Sequence, residues 1–257
     1  MTGRRLRWAG PLEALALLTV VPVPARAAGS VRGVLPWAPL VGLLLGGVAT
    51  GIGVLGARTV SPLVGAVLAL AVLALLTRGL HLDGLADTAD GLGPLRDRER
   101  ALAVMRQGHI GPFGVAAVVL VLLLQASCAA VLLASHGGWL AVWVAVAVAR
   151  LATARAGLPG TPVAAGSTLG RAVAGTVRPL VLAAWALAMA ALVVLGTSAD
   201  PLHVARILGP AVAGLLAAEL VLYRARHRLC GVNGDVMGAV TEVTTAVVLL
   251  LGAALAS

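Results

Sequence analysis

Long apolar runs separated by short polar segments repeat along this chain. They predict membrane-crossing helices near residues 36–56, 60–79, 113–134, 138–156, 179–197, 203–222 and 236–256. Each run is close to the ~20 residues that cover a bilayer core at a helical rise of about 1.5 Å per residue. The run at 11–23 is shorter, contains Glu13 and ends in Pro22-Val23-Pro24. It is predicted as an interfacial or re-entrant helix rather than a crossing. The expected fold is all-α: an integral membrane protein of about seven transmembrane helices forming one polytopic domain over residues 1–257, with no internal repeat.

Composition agrees with the pattern and adds an orientation. Hydrophobic residues make up 60% of the chain and charged residues only 11%, which excludes an ordinary soluble domain. All the basic residues are arginine. With the N-terminus in the cytoplasm and seven crossings, every one of the 19 except Arg58 and Arg206 falls on the cytoplasmic side. That asymmetry is the positive-inside rule, and it favours a cytoplasmic N-terminus, including Arg4, Arg5, Arg7 and Arg26. The net charge of +9 is therefore first a topology signal, and only secondly an attraction for anionic lipid or phosphorylated substrates. Cys128 and Cys230 are far apart and imply no disulfide framework.

The polar residues collect in three connections on that face. The first, 80–112, opens with His81-Leu-Asp-Gly-Leu-Ala-Asp-Thr-Ala-Asp-Gly91. On a helix, Asp83, Asp87 and Asp90 (i, i+4, i+7) project within roughly 60° of one another. Three like charges on one face repel unless a cation sits among them, and oxygen-only ligands favour Mg²⁺. The bland alternative is a solvated acidic face. Farther on come Arg96, Arg98, Arg100 and Arg106, then Gly111 and Gly114. The connection at 157–178 adds Gly166, Ser167, Thr168, Gly170 and Arg171; that at 223–238 adds Arg224, Arg226, Arg228, Asn233, Gly234 and Asp235. Carboxylates for metal, arginines for phosphate and glycines for close backbone approach make an inventory for phosphoryl transfer.

At these residues the chain resembles the cobalamin synthase (adenosylcobinamide-GDP ribazoletransferase) family. The eleven-residue run His81–Gly91 is similar to that family's signature. So are Thr19-Val-Val-Pro-Val-Pro24, Pro36–Gly47, the stretch from Arg98 through Met105-Arg106 to Gly111 and Gly114, and Gly231-Val-Asn-Gly-Asp-Val-Met-Gly-Ala239 with Glu242. The chain departs from the family pattern at Gln107 and His109, where an acid is common, at Asn233, where threonine is usual, and in Val163–Gly170, which lacks an arginine.

The resemblance implies a bacterial inner-membrane transferase with its site facing the cytoplasm. It would join adenosylcobinamide-GDP to α-ribazole or its 5′-phosphate and release GMP. It further implies Mg²⁺ held by Asp83, Asp87, Asp90 and Asp235. The hydroxyl proton would go to one of these aspartates, Asp83 among them, or to His81, and Arg98, Arg100 and Arg106 would stabilise the leaving group. Gly84, Gly91, Gly111, Gly114, Asn233, Gly234 and Glu242 are the expected substrate contacts. Partners would be the bilayer, a second copy or neighbouring enzymes of cobalamin synthesis, and not nucleic acid. Two other readings compete. A CDP-alcohol phosphotransferase would carry Arg where this chain has Asp87. A divalent-cation transporter would place its acids near the bilayer midplane rather than beside arginines.

Overall fold

A computed structural model describes residues 9–25, 29–94 and 96–256. Arg4, Arg5, Arg7 and Arg26, used above for orientation, lie outside them. Among the described residues eleven α-helices run in chain order: α1 Ala9–Leu18, α2 Val34–Thr59, α3 Pro62–Leu76, α4 Leu80–Leu92, α5 Arg98–Met105, α6 Pro112–Ala134, α7 Trp139–Ala154, α8 Thr168–Val173, α9 Pro179–Gly196, α10 Pro201–Leu229 and α11 Gly234–Ala256. There is no strand among the described residues, only a single bridge between Val163 and Val232. Several helices begin where the chain supplies a cap and a proline. Ser61 Oγ accepts from the Val64 N–H ahead of Pro62, and Asp200 accepts from the Leu202 and His203 N–H groups ahead of Pro201.

Among the described residues six helices (α2, α6, α7, α9, α10 and α11) are each long and apolar enough to cross a membrane, and α3 joined to α4 would make a seventh but for a bend of 89°. We take α3 as the crossing and α4, which carries the acidic signature, as turning at this bend to pack against α11 and α6. Two consecutive left-handed residues, Arg78 (φ 55) and Gly79 (φ 67), make the corner. The strain of a non-glycine residue there is offset by its own side chain: Arg78 donates to the carbonyls of Thr19 (2.9 Å) and Leu17 (2.8 Å), which the end of α1 leaves without helical partners. The ten-residue α1 is too short to cross. It is tied down at its middle, where the buried Glu13 carboxylate accepts from the Gly33 N–H at 2.6 Å, just before α2.

At the centre stands α7, in which every residue but Trp139 and Trp143 is buried. Its alanines and valines let neighbours approach closely. A Cβ on Gly46 of α2 would lie 2.7 Å from the Trp143 ring, and one on Gly42 would lie 3.1 Å from the Ala147 Cα. By contrast α9 buries only Met189 and Val193. Ionisable groups within the bundle find partners there, as expected where lipid offers none. Glu219 of α10 pairs with Arg155 at 2.8 Å and more loosely with Arg226 at 3.7 Å.

Two expectations need correction. Residues 80–112 are not a simple loop but fold into α4 and α5. The helix expected to end near residue 222 continues to Leu229 and takes in Arg224, Arg226 and Arg228. Nothing in a run of arginines breaks a helix, and cations near a helix C-terminus are favourable.

Candidate functional site

The site is built where α4 crosses the start of α11. A Cβ on Gly84 would fall 2.7 Å from the Asp235 carbonyl oxygen and 3.0 Å from the Gly238 Cα, while one on Gly238 would fall 3.0 Å from the His81 carbonyl. Only a glycine pair allows this approach, and it brings Asp235 alongside Asp83 and Asp87. Asn233 sets the far side. Its side-chain oxygen accepts from the Val236 N–H (3.0 Å), capping α11, and its amide donates to Asp235 Oδ2 at 2.8 Å.

The three acids repel one another. Burial first, then the carboxylates of Asp235, Asp83 and Asp90, raise Asp87 to about 6. Uncompensated oxygen ligands of this kind suit a hard divalent cation. No three His, Cys, Asp or Glu side chains among the described residues converge tightly enough to hold an ion unaided. A divalent cation here would need water and substrate oxygens to complete its ligands.

Asp90 is engaged elsewhere. It is buried, and its two oxygens accept from the Gly111 N–H at 2.6 Å and the Gly114 N–H at 3.0 Å, the first turn of α6. A carboxylate here satisfies donors that the helix start leaves free and meets the positive end of its dipole. Gly111 and Gly114 are needed because a Cβ on either would run into the Asp90 carboxyl group, and Gly91 because a Cβ there would meet the Met105 side chain at 2.7 Å. Gly84, Gly91, Gly111 and Gly114, expected as substrate contacts, thus serve packing. Glu242 is also displaced from its expected role. It lies within the bundle, where its carboxylate accepts from Gln125 Nε2 at 2.9 Å, beside the buried Arg150.

Beside the acids opens a cavity of about 320 Å³. His81, Asp83, Arg106, Asn233, Gly234 and Asp235 all reach its wall, so the structure gathers these predicted residues from three separate stretches of chain. The connection 157–178 joins them. It is pinned to the segment before α11 by the Ala164 N–H donating to the Val232 carbonyl (3.1 Å) and the Val232 N–H to the Pro162 carbonyl (2.9 Å), which sets Gly166, Ser167 and Thr168 on the same cavity. Arg98 and Arg100 stand exposed on the first turn of α5, off this wall. His81 is buried, and burial with the Arg150 guanidinium nearby holds its imidazole well below the ordinary value. The rest of the lining (Leu18, Val34, Leu35, Val173 and Met237 among others) carried no sequence signal, since apolar residues are everywhere in this chain.

Fold and site together define a polytopic membrane protein with an acid-edged cavity at one end of its bundle. A profile of the cobalamin-5-phosphate synthase family matches residues 10–253, and the chain belongs to that family. Relatives named adenosylcobinamide-GDP ribazoletransferase include one from Frankia casuarinae, 38% identical over 93% of this chain and 92% of its own. Another, from Chlorobium chlorochromatii, is 36% identical over 96% and 97%. A third, from Corynebacterium efficiens, is 38% identical over 82% and 77%. No solved structure matches.

Proposed function

We propose that this chain transfers the adenosylcobinamide-phosphate group of adenosylcobinamide-GDP to the ribose hydroxyl of α-ribazole or its 5′-phosphate, with Mg²⁺ held by Asp83, Asp87 and Asp235. The observation that carries this reading is the Gly84–Gly238 crossing, which sets Asp83 and Asp235 on the edge of a cavity with Asp87 close behind them, in a chain of this family. The acceptor oxygen attacks the phosphorus that bears the cobinamide group. The bond from that phosphorus to the bridging oxygen breaks, and GMP leaves with the electron pair. The hydroxyl proton passes to a carboxylate, for which Asp83, exposed on the cavity wall, is best sited. His81 is the poorer base, because an imidazole kept neutral by burial does not hold a proton it takes. The metal, when bound, supplies charge neutralisation on the diphosphate and alignment of its reacting phosphorus. Arg98 and Arg100, exposed on the first turn of α5, offer charge to the guanosine phosphates. The arginine distribution supports a multi-pass inner-membrane protein with this end in the cytoplasm.

The test is turnover by the full chain in detergent or nanodiscs, with Mg²⁺ and with EDTA. GMP release and a cobalamin product only with metal are expected. Asp87→Asn and Asp235→Asn should each reduce kcat by at least about a hundredfold without loss of fold. Undiminished turnover in either variant, or in EDTA, refutes the metal assignment.

A further inference from the structure

We propose that the 320 Å³ cavity is the acceptor subsite: it takes the benzimidazole nucleoside base-first, and Arg106 receives the 5′-phosphate of that nucleoside. This rests on the transferase reading above, and the geometry divides the two substrates. At about 320 Å³ the cavity sits at the small end of the roughly 300–1,000 Å³ range of ligand pockets. A nucleoside fits that space. A corrin macrocycle carrying an adenosyl group and GDP does not, and its reacting diphosphate need only reach the edge where Asp83 and Asp235 stand.

The lining matches an uncharged aromatic base. Leu18, Leu35, Val173 and Met237 are buried residues that contribute to its wall, and a planar ring with two methyl groups loses nothing by leaving water there. A corrin rimmed with amides would leave its polar groups unpaired on the same surface. With Asp83 and Asp235 on the wall, a nucleoside seated base-first presents its ribose to the carboxylates that take the hydroxyl proton.

Arg106 completes the assignment. It follows α5, brings a guanidinium to the cavity, and forms no hydrogen bond or ion pair of its side chain among the described residues. Gly166, left-handed at φ +81, faces it: a Cβ there would lie 2.9 Å from Arg106 Nη1. The loop thus keeps the guanidinium clear of side chains. The neighbouring Thr168 hydroxyl is also free of partners among the described residues and lines the same space. A free guanidinium fits an anionic oxygen cluster, and a nucleoside 5′-phosphate provides one within a bond or two of the ribose.

The experiment compares α-ribazole with its 5′-phosphate as acceptors for the full chain in detergent. Arg106→Gln should raise KM for the phosphorylated acceptor by about tenfold or more, while KM for α-ribazole and for adenosylcobinamide-GDP stays within about twofold. Arg106→Lys should recover part of the loss. Leu17→Trp, a partly exposed position on the wall, should raise KM for both acceptors and not for the donor. Equal losses with both acceptors in Arg106→Gln, or a loss confined to the donor, overturns the assignment and gives Arg106 to the guanosine diphosphate. Equilibrium dialysis of α-ribazole 5′-phosphate in EDTA, without donor, separates this inference from the reaction itself. Arg106-dependent binding by a wild-type chain that does not turn over would sink the transferase reading and leave the subsite standing. Absence of binding would sink the subsite.

Discussion

Asp90 belongs to the acidic signature by sequence and to the start of α6 by structure, and the two roles predict different phenotypes. Replacing it with alanine removes the acceptor of two N–H bonds, one part-buried at 2.6 Å and one buried at 3.0 Å, and leaves both donors of the helix start orphaned. A hydrogen bond to a charged group contributes about 1.5–3 kcal/mol, so the pair is worth roughly 3 kcal/mol even at the lower figure. At about 2–4 °C per kcal/mol for a chain of this size, Asp90→Ala should melt roughly 6–12 °C below wild type. Asp90→Asn keeps one acceptor oxygen and should lose about half as much. The assay is thermal unfolding in a fixed detergent, run in parallel with Mg²⁺ titration of turnover. Both variants should need the same Mg²⁺ concentration as wild type for half-maximal rate in the fraction that remains folded. An Asp90→Ala protein that melts with wild type yet needs far more Mg²⁺ would refute the clasp and return Asp90 to the metal.

Three further outcomes follow from the same geometry. Gly84→Ala places a methyl group 2.7 Å from the Asp235 carbonyl oxygen, so α4 and α11 must part; we expect about 1–3 kcal/mol of destabilisation and a fall in kcat of roughly a hundredfold, checked by melting and initial rates. Asp87, raised to about 6 in the metal-free fold, binds a proton more tightly folded than unfolded, so its contribution to stability is present at acid pH and lost as pH rises through 6. The melting temperature in EDTA should therefore climb from pH 7.5 to pH 5, and Mg²⁺ should abolish that slope by stabilising the neutral-pH protein; a flat profile in EDTA would remove the case for crowded acids. Gln125→Leu deprives the Glu242 carboxylate of its 2.9 Å partner inside the bundle and should cost about 1 kcal/mol, with KM for both substrates unmoved, because that pair lies apart from the cavity.

Much of the architecture was legible because a bilayer imposes a length and a polarity on every crossing. The seven runs of about twenty residues fall on the seven helices α2, α3, α6, α7, α9, α10 and α11, with ends shifted by a few residues. The exception was α10, whose arginines are as helical as any residue and gave no stop signal. Of the site, the acids and Arg106 were readable because charge is scarce in this chain, and a scarce residue is informative. The roles of the glycines were not. Gly84, Gly91, Gly111 and Gly114 mark close approach of backbone, but a one-dimensional pattern does not say whether a ligand or another helix arrives there; here it is Gly238, Met105 and the Asp90 carboxylate. Glu242 misled for a related reason: it sits in the same motif as Asp235, yet seven residues along a helix is two turns, about 10 Å deeper into the bundle.

The burial of α7 has a consequence for how the protein is made. A ribosome delivers α2 and α3 long before α10 and α11, so α7 enters the membrane before the helices that complete its burial are made. The acids of α4 likewise wait for Asp235, and the cavity between them has no floor until Met237 arrives. Each wall of the site is synthesised at a different time, and none is a working fragment. Assembly of the reacting centre is therefore also a proof that translation went through α11: a chain interrupted before residue 234 would lack Asp235, Met237 and the helix that covers one side of α7.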